Sequence, residues 1–281
     1  MRIASLHIYP VKSGAGIALT EAAVLPAGLR DDRRWMVVDD EGAFVTQRTL
    51  PALARLVATP TADGLRLAVD GEALAVATPP PGAARIAVQV WRDRLELPEA
   101  PEAAAWLTRH FGQSLRLVHQ PLGAIRPVSP EWGAAGDHVS LADGFPILVA
   151  TTASLEAVRA LAGPEVGMER FRPNVVVDGA LPWAEDGWLR LACGGIELEL
   201  VKPCARCVMT TTDQATGTVT GPEPLKALRA LRRSGDPRVQ GVLFGWNAVP
   251  RGGGTLRVGD AVTVTATREA WPILEKRQRA G

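Results

Sequence analysis

The stretch IELELVKPCARCVMTTTDQATG, residues 196–217, decides how the chain is read. Ile196, Leu198 and Leu200 alternate with Glu197 and Glu199, the period of a strand with one buried and one wet face. Cys204 and Cys207 follow at C-x-x-C spacing, and then a threonine-rich run of β propensity. The spacing admits zinc ligation, dithiol exchange, or a single thiolate ligand to another metal. Structural zinc needs four ligands, and no second C-x-x-C and no His-x-Cys or His-x-x-x-His pair completes such a set. Dithiol exchange normally uses a pair that opens a helix, whose N-terminus lowers the thiol pKa, whereas this pair follows a strand. Burial of both thiols as small hydrophobes is the plain alternative.

Outward from this stretch the pattern stays mainly β. Trp35 to Val38, a turn at 39–42 and Ala43 to Arg48 give a hairpin signal, and Leu65 to Val69, Asp70-Gly71 and Ala73 to Ala77 repeat it. Ile86 to Trp91 and Leu115 to His119 read as further strands. Between them, Ala103, Trp106, Leu107, His110 and Phe111 fall at helical spacing before Gly112. The aperiodic Pro- and Gly-rich run from Gln120 to Asp137 places a domain boundary near residue 120. Beyond it the sequence predicts helices over 152–162, with Leu155, Val158 and Leu161 on one side, and over 224–233. Strands are expected at 174–177, 189–192, 196–201, 239–246 and 261–266. The expected architecture is mainly β (α+β): an N-terminal β-barrel-like domain over 1–120, then a β-barrel with peripheral helices over 121–270.

At 281 residues the chain is long enough for two cores. Thirty-one Lys plus Arg against 30 Asp plus Glu leave a net charge of +1, so no global field draws it to nucleic acid or anionic lipid, and any anion site must be local. Three cysteines make no disulfide scaffold and point to a reducing compartment. With no signal-peptide pattern and no membrane-length apolar run, a cytoplasmic, soluble protein with no membrane or nucleic-acid partner is expected.

Three further segments carry anion-binding residue types. Tyr9-Pro10-Val11-Lys12-Ser13-Gly14 ends a strand with an ammonium, a hydroxyl and a glycine. Asp32-Arg33-Arg34-Trp35 opens the first hairpin, and Phe171-Arg172-Pro173-Asn174 precedes a strand. Guanidinium forks, a point charge, a hydroxyl and accessible amides are what a phosphate needs.

Together and in this order the segments IYPVKSG (8–14), DDRRWMVVDDEGAFVTQR (31–48), LADGFPILVATTASL (141–155), RFRPNVVV (170–177) and VKPCARCVMTTTDQATG (201–217) resemble the MOSC superfamily with its N-terminal β-barrel partner. Two-domain members are similar to amidoxime-reducing components, which carry a molybdopterin-type cofactor and reduce N-hydroxylated compounds. The resemblance implies that Cys207 is the thiolate ligand to molybdenum, that Cys204 is a non-ligand, and that Cys193, which matches nothing, packs. It implies that Lys12, Ser13, Arg33, Arg172 and Asn174 hold the cofactor, with Arg206 favouring the Cys207 thiolate. Gly144 and Phe145 stand where hydroxyl residues are expected, so their contacts would come from backbone N–H groups. Asp213 or Asp143 would assist proton delivery. Electrons would come from a separate ferredoxin, cytochrome or flavoprotein, since cysteines for an iron–sulfur domain are absent from the sequence. The competing reading is a cofactor- or sulfur-carrying module without turnover. A third, pyridoxal phosphate held by Lys12 as a Schiff base, lacks a pyridinium partner.

Overall fold

The structure, a computed structural model, describes residues 1–274. Its largest element is an eight-stranded sheet in the spatial order Val262–Thr267, Trp188–Cys193, Ile196–Arg206, Val242–Arg251, Ile147–Thr151, Val175–Asp178, Arg2–Ile8, Ile17–Leu19. Neighbours are antiparallel except Ile147–Thr151 and Val175–Asp178, which run parallel. A parallel pair needs a crossover, and the helix Thr152–Ala162 lies between them in the chain.

The sheet closes on itself. Ile3 N–H donates to Asp260 O at 2.9 Å, Gly259 N–H to Ile3 O at 2.8 Å, and Val262 N–H to Met1 O at 2.9 Å. These bonds set the first strand against the start of the last and remove an exposed edge. Ile3, Leu6 and Ile8 therefore share one core with Val149, Leu191, Leu198 and Trp246, each such side chain contributing roughly 1.5–3 kcal/mol by leaving water. Strand pairing does not divide at residue 120, because the barrel of the second half is completed by the first eight residues. Glu21–Leu25 likewise pairs with Gly254–Arg257.

The remaining N-terminal segments form small sheets. Trp35–Val38 lies between Arg116–His119 and Val11–Lys12. Val57–Thr61, Gly64–Val69 and Glu72–Ala77 make a meander, with Asp70 and Gly71 at φ 51° and 85° in the expected tip. Arg85–Val90 and Asp93–Pro98 form a hairpin with Trp91 and Arg92 at its tip. The hairpin predicted over 35–48 keeps only its first strand. The Asp39 carboxylate accepts the amides of Glu41 and Ala43 at 3.0 and 2.8 Å, turning the chain so that a single bridge, Val38 to Phe44, remains.

Helix α1, Ala104–Phe111, follows a short 3-10 turn and ends at Gly112, φ 71°, burying Trp106, Leu107 and Phe111. Helix α2, Thr152–Ala162, is capped by Thr151, whose hydroxyl accepts the Ser154 amide at 3.1 Å. Its buried face is Leu155, Val158 and Ala162, whereas the predicted Leu161 is 57% exposed. At 3.6 residues per turn the face drifts to the i+4 position. Helix α3, Leu225–Leu231, is shorter than predicted. Just past its end the Arg232 side chain turns inward: its Nη2 donates to both Asp186 oxygens at 2.8 and 2.7 Å, and Trp246 Nε1 donates to Asp186 Oδ1 at 3.0 Å. None of the helices among the described residues is long and apolar enough to cross a membrane.

Ile196–Arg206 outruns its prediction at the C-terminal end. It pairs with strands on both sides and is irregular between Leu200 and Lys202 and between Pro203 and Ala205. Such irregularities re-aim side chains, and these lie just before and within the C-x-x-C segment.

Two predictions follow from the packing. Asp186→Ala leaves the buried Arg232 guanidinium unpaired and lowers the unfolding free energy by about 3–5 kcal/mol in urea titration. Burial, with help from the Arg34 charge, pushes the His119 pKa down from 6.5 to about 4, and its ring lies 4.5 Å from that of Trp35. The unfolded chain takes up this proton first, so stability is whole above about pH 6.5 and is lost as pH falls towards about 4. His119→Phe keeps an aromatic ring there and flattens that slope in denaturation midpoints measured across the window.

Candidate functional site

Three predicted site residues hold a left-handed backbone: Ser13 at φ 65°, Arg33 at 47° and Arg172 at 56°. Each such non-glycine residue costs on the order of 1–3 kcal/mol and persists only where its surroundings over-determine it. Here Tyr9 supplies much of that determination. Its amide donates to Asp32 Oδ1 at 2.8 Å and its hydroxyl to Pro173 O at 3.0 Å. The guanidinium carbons of Arg33 and Arg172 each lie 4.2 Å from its ring centroid. Burial pushes the phenol up to about 12 despite both arginines, so the ring stays neutral.

Arg33 Nη1 donates to Asp32 Oδ2 at 2.6 Å and to Asn174 Oδ1 at 3.1 Å, and its Nη2 to Arg172 O at 3.3 Å. Asn174 is 1% exposed. Its Oδ1 also accepts the Leu148 amide at 3.1 Å, and its Nδ2 donates to His7 O at 3.1 Å. The amide is thus consumed in joining the first strand to Ile147–Thr151, which makes Asn174 a holder of Arg33. Arg172 Nη1 donates to Gly14 O at 2.6 Å, while its buried Nη2 has no partner among the described residues. Burial and the neighbouring Arg33 charge lower its pKa to about 10.

Lys12 is 4% exposed and donates to Leu141 O at 2.9 Å and Asp143 Oδ1 at 2.5 Å. Arg126, also buried, donates to the carbonyls of Ser140 at 3.1 Å and Asp143 at 3.0 Å, and to that of Ala142. Successive carbonyls of one loop are thereby taken by Arg126 and Lys12. Arg48 Nη2 stands 3.8 Å from Asp143 Oδ2, and Trp91 Nε1 donates to Asp143 Oδ1 at 3.2 Å. Desolvation opposes ionisation of Asp143, but Lys12, Arg48 and the indole N–H outweigh it and hold the carboxyl well below its usual range. At neutral pH Asp143 is therefore the ionised partner of Lys12. The bound, buried Lys12 is poorly placed as a Schiff-base amine. Gly144 has open space beside its Cα, and among the described residues neither its amide nor that of Phe145 has a backbone partner.

The C-x-x-C segment lies beside the Phe171–Asn174 loop. Arg206 was expected to favour the Cys207 thiolate; instead its Nη1 reaches Cys204 Sγ at 2.9 Å and its Nη2 donates to Phe171 O at 2.7 Å. The bulged strand sends this side chain back along the chain, and its buried Nε is unpartnered among the described residues. Cys207 is half-buried where the strand passes into a 3-10 turn, Val208–Thr211. Cys193 is 3% exposed in the barrel core, and burial pushes its thiol up to about 11.

Asp213, a candidate for proton delivery or for a structural hydrogen-bond role, is bonded within its own loop. Its Oδ1 accepts the amides of Ala215 and Thr216 and the Thr216 hydroxyl at 2.9–3.1 Å. The Thr216 amide first, then the other bonds and Arg170, lower its pKa, which makes it a turn-forming carboxylate.

Tyr9, Asp32, Arg48, Trp91 and Arg126 carry no site assignment from sequence. Arg126 lies in an aperiodic run, and Trp91 reads as the end of a strand, so neither carries a local signal. Among the described residues no three His, Cys, Asp or Glu side chains cluster as a metal site. Two surface clefts, one along Arg229–Gly235 and one between Trp132 and Trp271, touch none of these residues.

Residues 1–114 match the MOSC N-terminal beta barrel domain and residues 136–263 the MOSC domain. Over 279 residues the sequence is 35% identical to mitochondrial amidoxime-reducing component 1 of Homo sapiens, covering 92% of this chain and 82% of the relative. The Mus musculus protein of the same name is 36% identical, with 92% and 81% covered. Mitochondrial amidoxime reducing component 2 of Homo sapiens is 32% identical, with 92% and 82% covered. Among solved structures, the YUAD protein from Bacillus subtilis aligns over 93% of each chain at 10% identity and a TM-score of 0.40, too little agreement in shape to carry an argument.

Asp213→Ala is expected to lower stability by about 1–3 kcal/mol, because the turn amides lose their acceptor. In wild type this contribution is present above the ordinary aspartate value of 3.8 and disappears as pH falls below it, which melting curves at several pH values will show.

Proposed function

The chain belongs to the MOSC family, with an N-terminal MOSC β-barrel domain preceding the MOSC domain, and we propose that it is a molybdenum cofactor-dependent reductase of N-hydroxylated compounds. The observation that carries the proposal is the buried Arg172 Nη2, without a partner among the described residues, within a group of cations, Lys12, Arg33 and Arg172, drawn from both halves of the chain. Buried guanidinium N–H groups without an acceptor suit an anionic group. The donor set fits a molybdopterin-type cofactor, which combines a phosphate with a soft metal.

When bound, the cofactor would supply the two-electron couple that converts N–OH into N–H and water. This chain's residues would hold and orient it. Cys207, half-buried and clear of the Arg206 contact, would be the thiolate ligand. Lys12, Ser13, Arg33 and Arg172 would take the anionic portion, with the amides of Gly144 and Phe145 facing it. Arg206 and Asn174 would align the loops rather than touch the reacting atoms. Asp143, held ionised, would fix Lys12 in place. The substrate would be a small N-hydroxylated compound, and electrons would arrive from a separate protein.

Expression in a host that makes the cofactor should give bound molybdenum by metal analysis, lowered at least about tenfold by Cys207→Ser. Loaded protein reduced by methyl viologen should convert benzamidoxime to benzamidine. No molybdenum would overturn the proposal, and full loading without product would leave a cofactor carrier.

A further inference from the structure

Beside the site the surface changes character. The tip of the Arg85–Pro98 hairpin carries Trp91, 42% exposed and at φ 57°, with its indole N–H on Asp143 and the Arg48 guanidinium carbon 4.7 Å from its ring centroid. Arg92 and Arg94 follow, both exposed, and neither has a carboxylate within 4.0 Å among the described residues. The nearest acids along the hairpin are Asp93, paired with Arg126 at 2.5 Å, and Glu96, two residues beyond Arg94. The segment that carries Arg126 also presents Leu122 and Ile125, 70% and 69% exposed. Exposed Trp, Arg and aliphatic side chains together have the composition of a protein-binding surface, not of an ordinary solvated face.

We propose that the Trp91–Arg94 hairpin tip, with Leu122 and Ile125, is the docking surface for an acidic one-electron carrier protein. The proposal rests on the reductase reading and adds where the electron donor binds and which charge it carries. Two unpaired guanidiniums favour a partner with clustered carboxylates, and they steer its approach. Trp91 places this surface one hydrogen bond from Asp143, which itself contacts Lys12. A donor seated here abuts Asp143, the partner of Lys12. Reducing one N–OH to N–H with release of one water consumes two electrons and two protons, so each turnover needs two encounters with such a carrier. A weak, salt-sensitive interface that exchanges quickly suits that demand.

The test uses molybdenum-loaded protein and a plant-type [2Fe–2S] ferredoxin, an acidic one-electron carrier, with methyl viologen as the small-molecule control. Ferredoxin-driven benzamidoxime reduction is expected to slow as salt rises. The double variant Arg92→Glu/Arg94→Glu should lower its kcat/KM by about tenfold or more, with the viologen-driven rate unchanged. Ile125→Ser, which alters no charge, should raise the ferredoxin KM alone. Ferredoxin rates equal to wild type in both variants, or a wild type that accepts viologen but not ferredoxin, would overturn the proposal. If viologen supports no reduction, the reductase reading fails separately, and the surface is then judged by titration. Ferredoxin binding that is lost in the double variant sustains it, and no binding to wild type removes it.

Discussion

Two guanidiniums share one aromatic ring at the centre of this protein. Arg33 and Arg172 each stand 4.2 Å from the Tyr9 centroid, and like charges so close repel. The arrangement holds because the ring face attracts cations, Asp32 neutralises Arg33, and Tyr9 is bonded at both its amide and its hydroxyl. Left-handed backbone at Arg33 and Arg172 follows from the need to bring both side chains back over one ring. The excess positive charge that remains is the basis of the proposed anion site.

That constraint depends in turn on barrel closure. The first strand enters the eight-stranded sheet and leaves Tyr9 to Gly14 at its end, facing the Phe171–Asn174 loop that precedes its neighbour. Asn174 secures the junction with bonds to His7, Leu148 and Arg33. A chain whose halves folded as separate barrels would not place Lys12 and Arg172 on the same site. Burial of Ile3, Leu6 and Ile8 among residues of the second half therefore holds the site together as well as the fold.

A second set of contacts orders the loop of residues 140–143. Arg126 and Lys12 divide the carbonyls of residues 140–143 between them, and the hairpin braces both, through Asp93 on Arg126 and Trp91 on Asp143. Two buried cations bonded to one loop are costly to desolvate unless each finds several acceptors, and the consecutive carbonyls of residues 140–143 supply them.

Much of this was legible in sequence wherever the signal is local. Period-2 alternation at 196–200, the Asp70-Gly71 turn, the Gly112 stop and the span of α2 all survive into the structure, because each is determined by residues within one or two turns of chain. The motifs around Lys12, Arg33 and Arg172 named residues that the fold does bring together. What failed was whatever depends on distant partners. Arg206 reaches Cys204 and the Phe171 carbonyl, not Cys207, and the second strand of the 35–48 hairpin is reduced to one bridge at Val38, with Val11–Lys12 pairing Trp35 and Met36 on that side. Spacing alone established residue type and secondary structure, since those follow from backbone sterics and burial periodicity. Only the tertiary structure decided which cations face a common space and which carboxylates are already engaged, because burial and long-range pairing determine whether a charged group stays available.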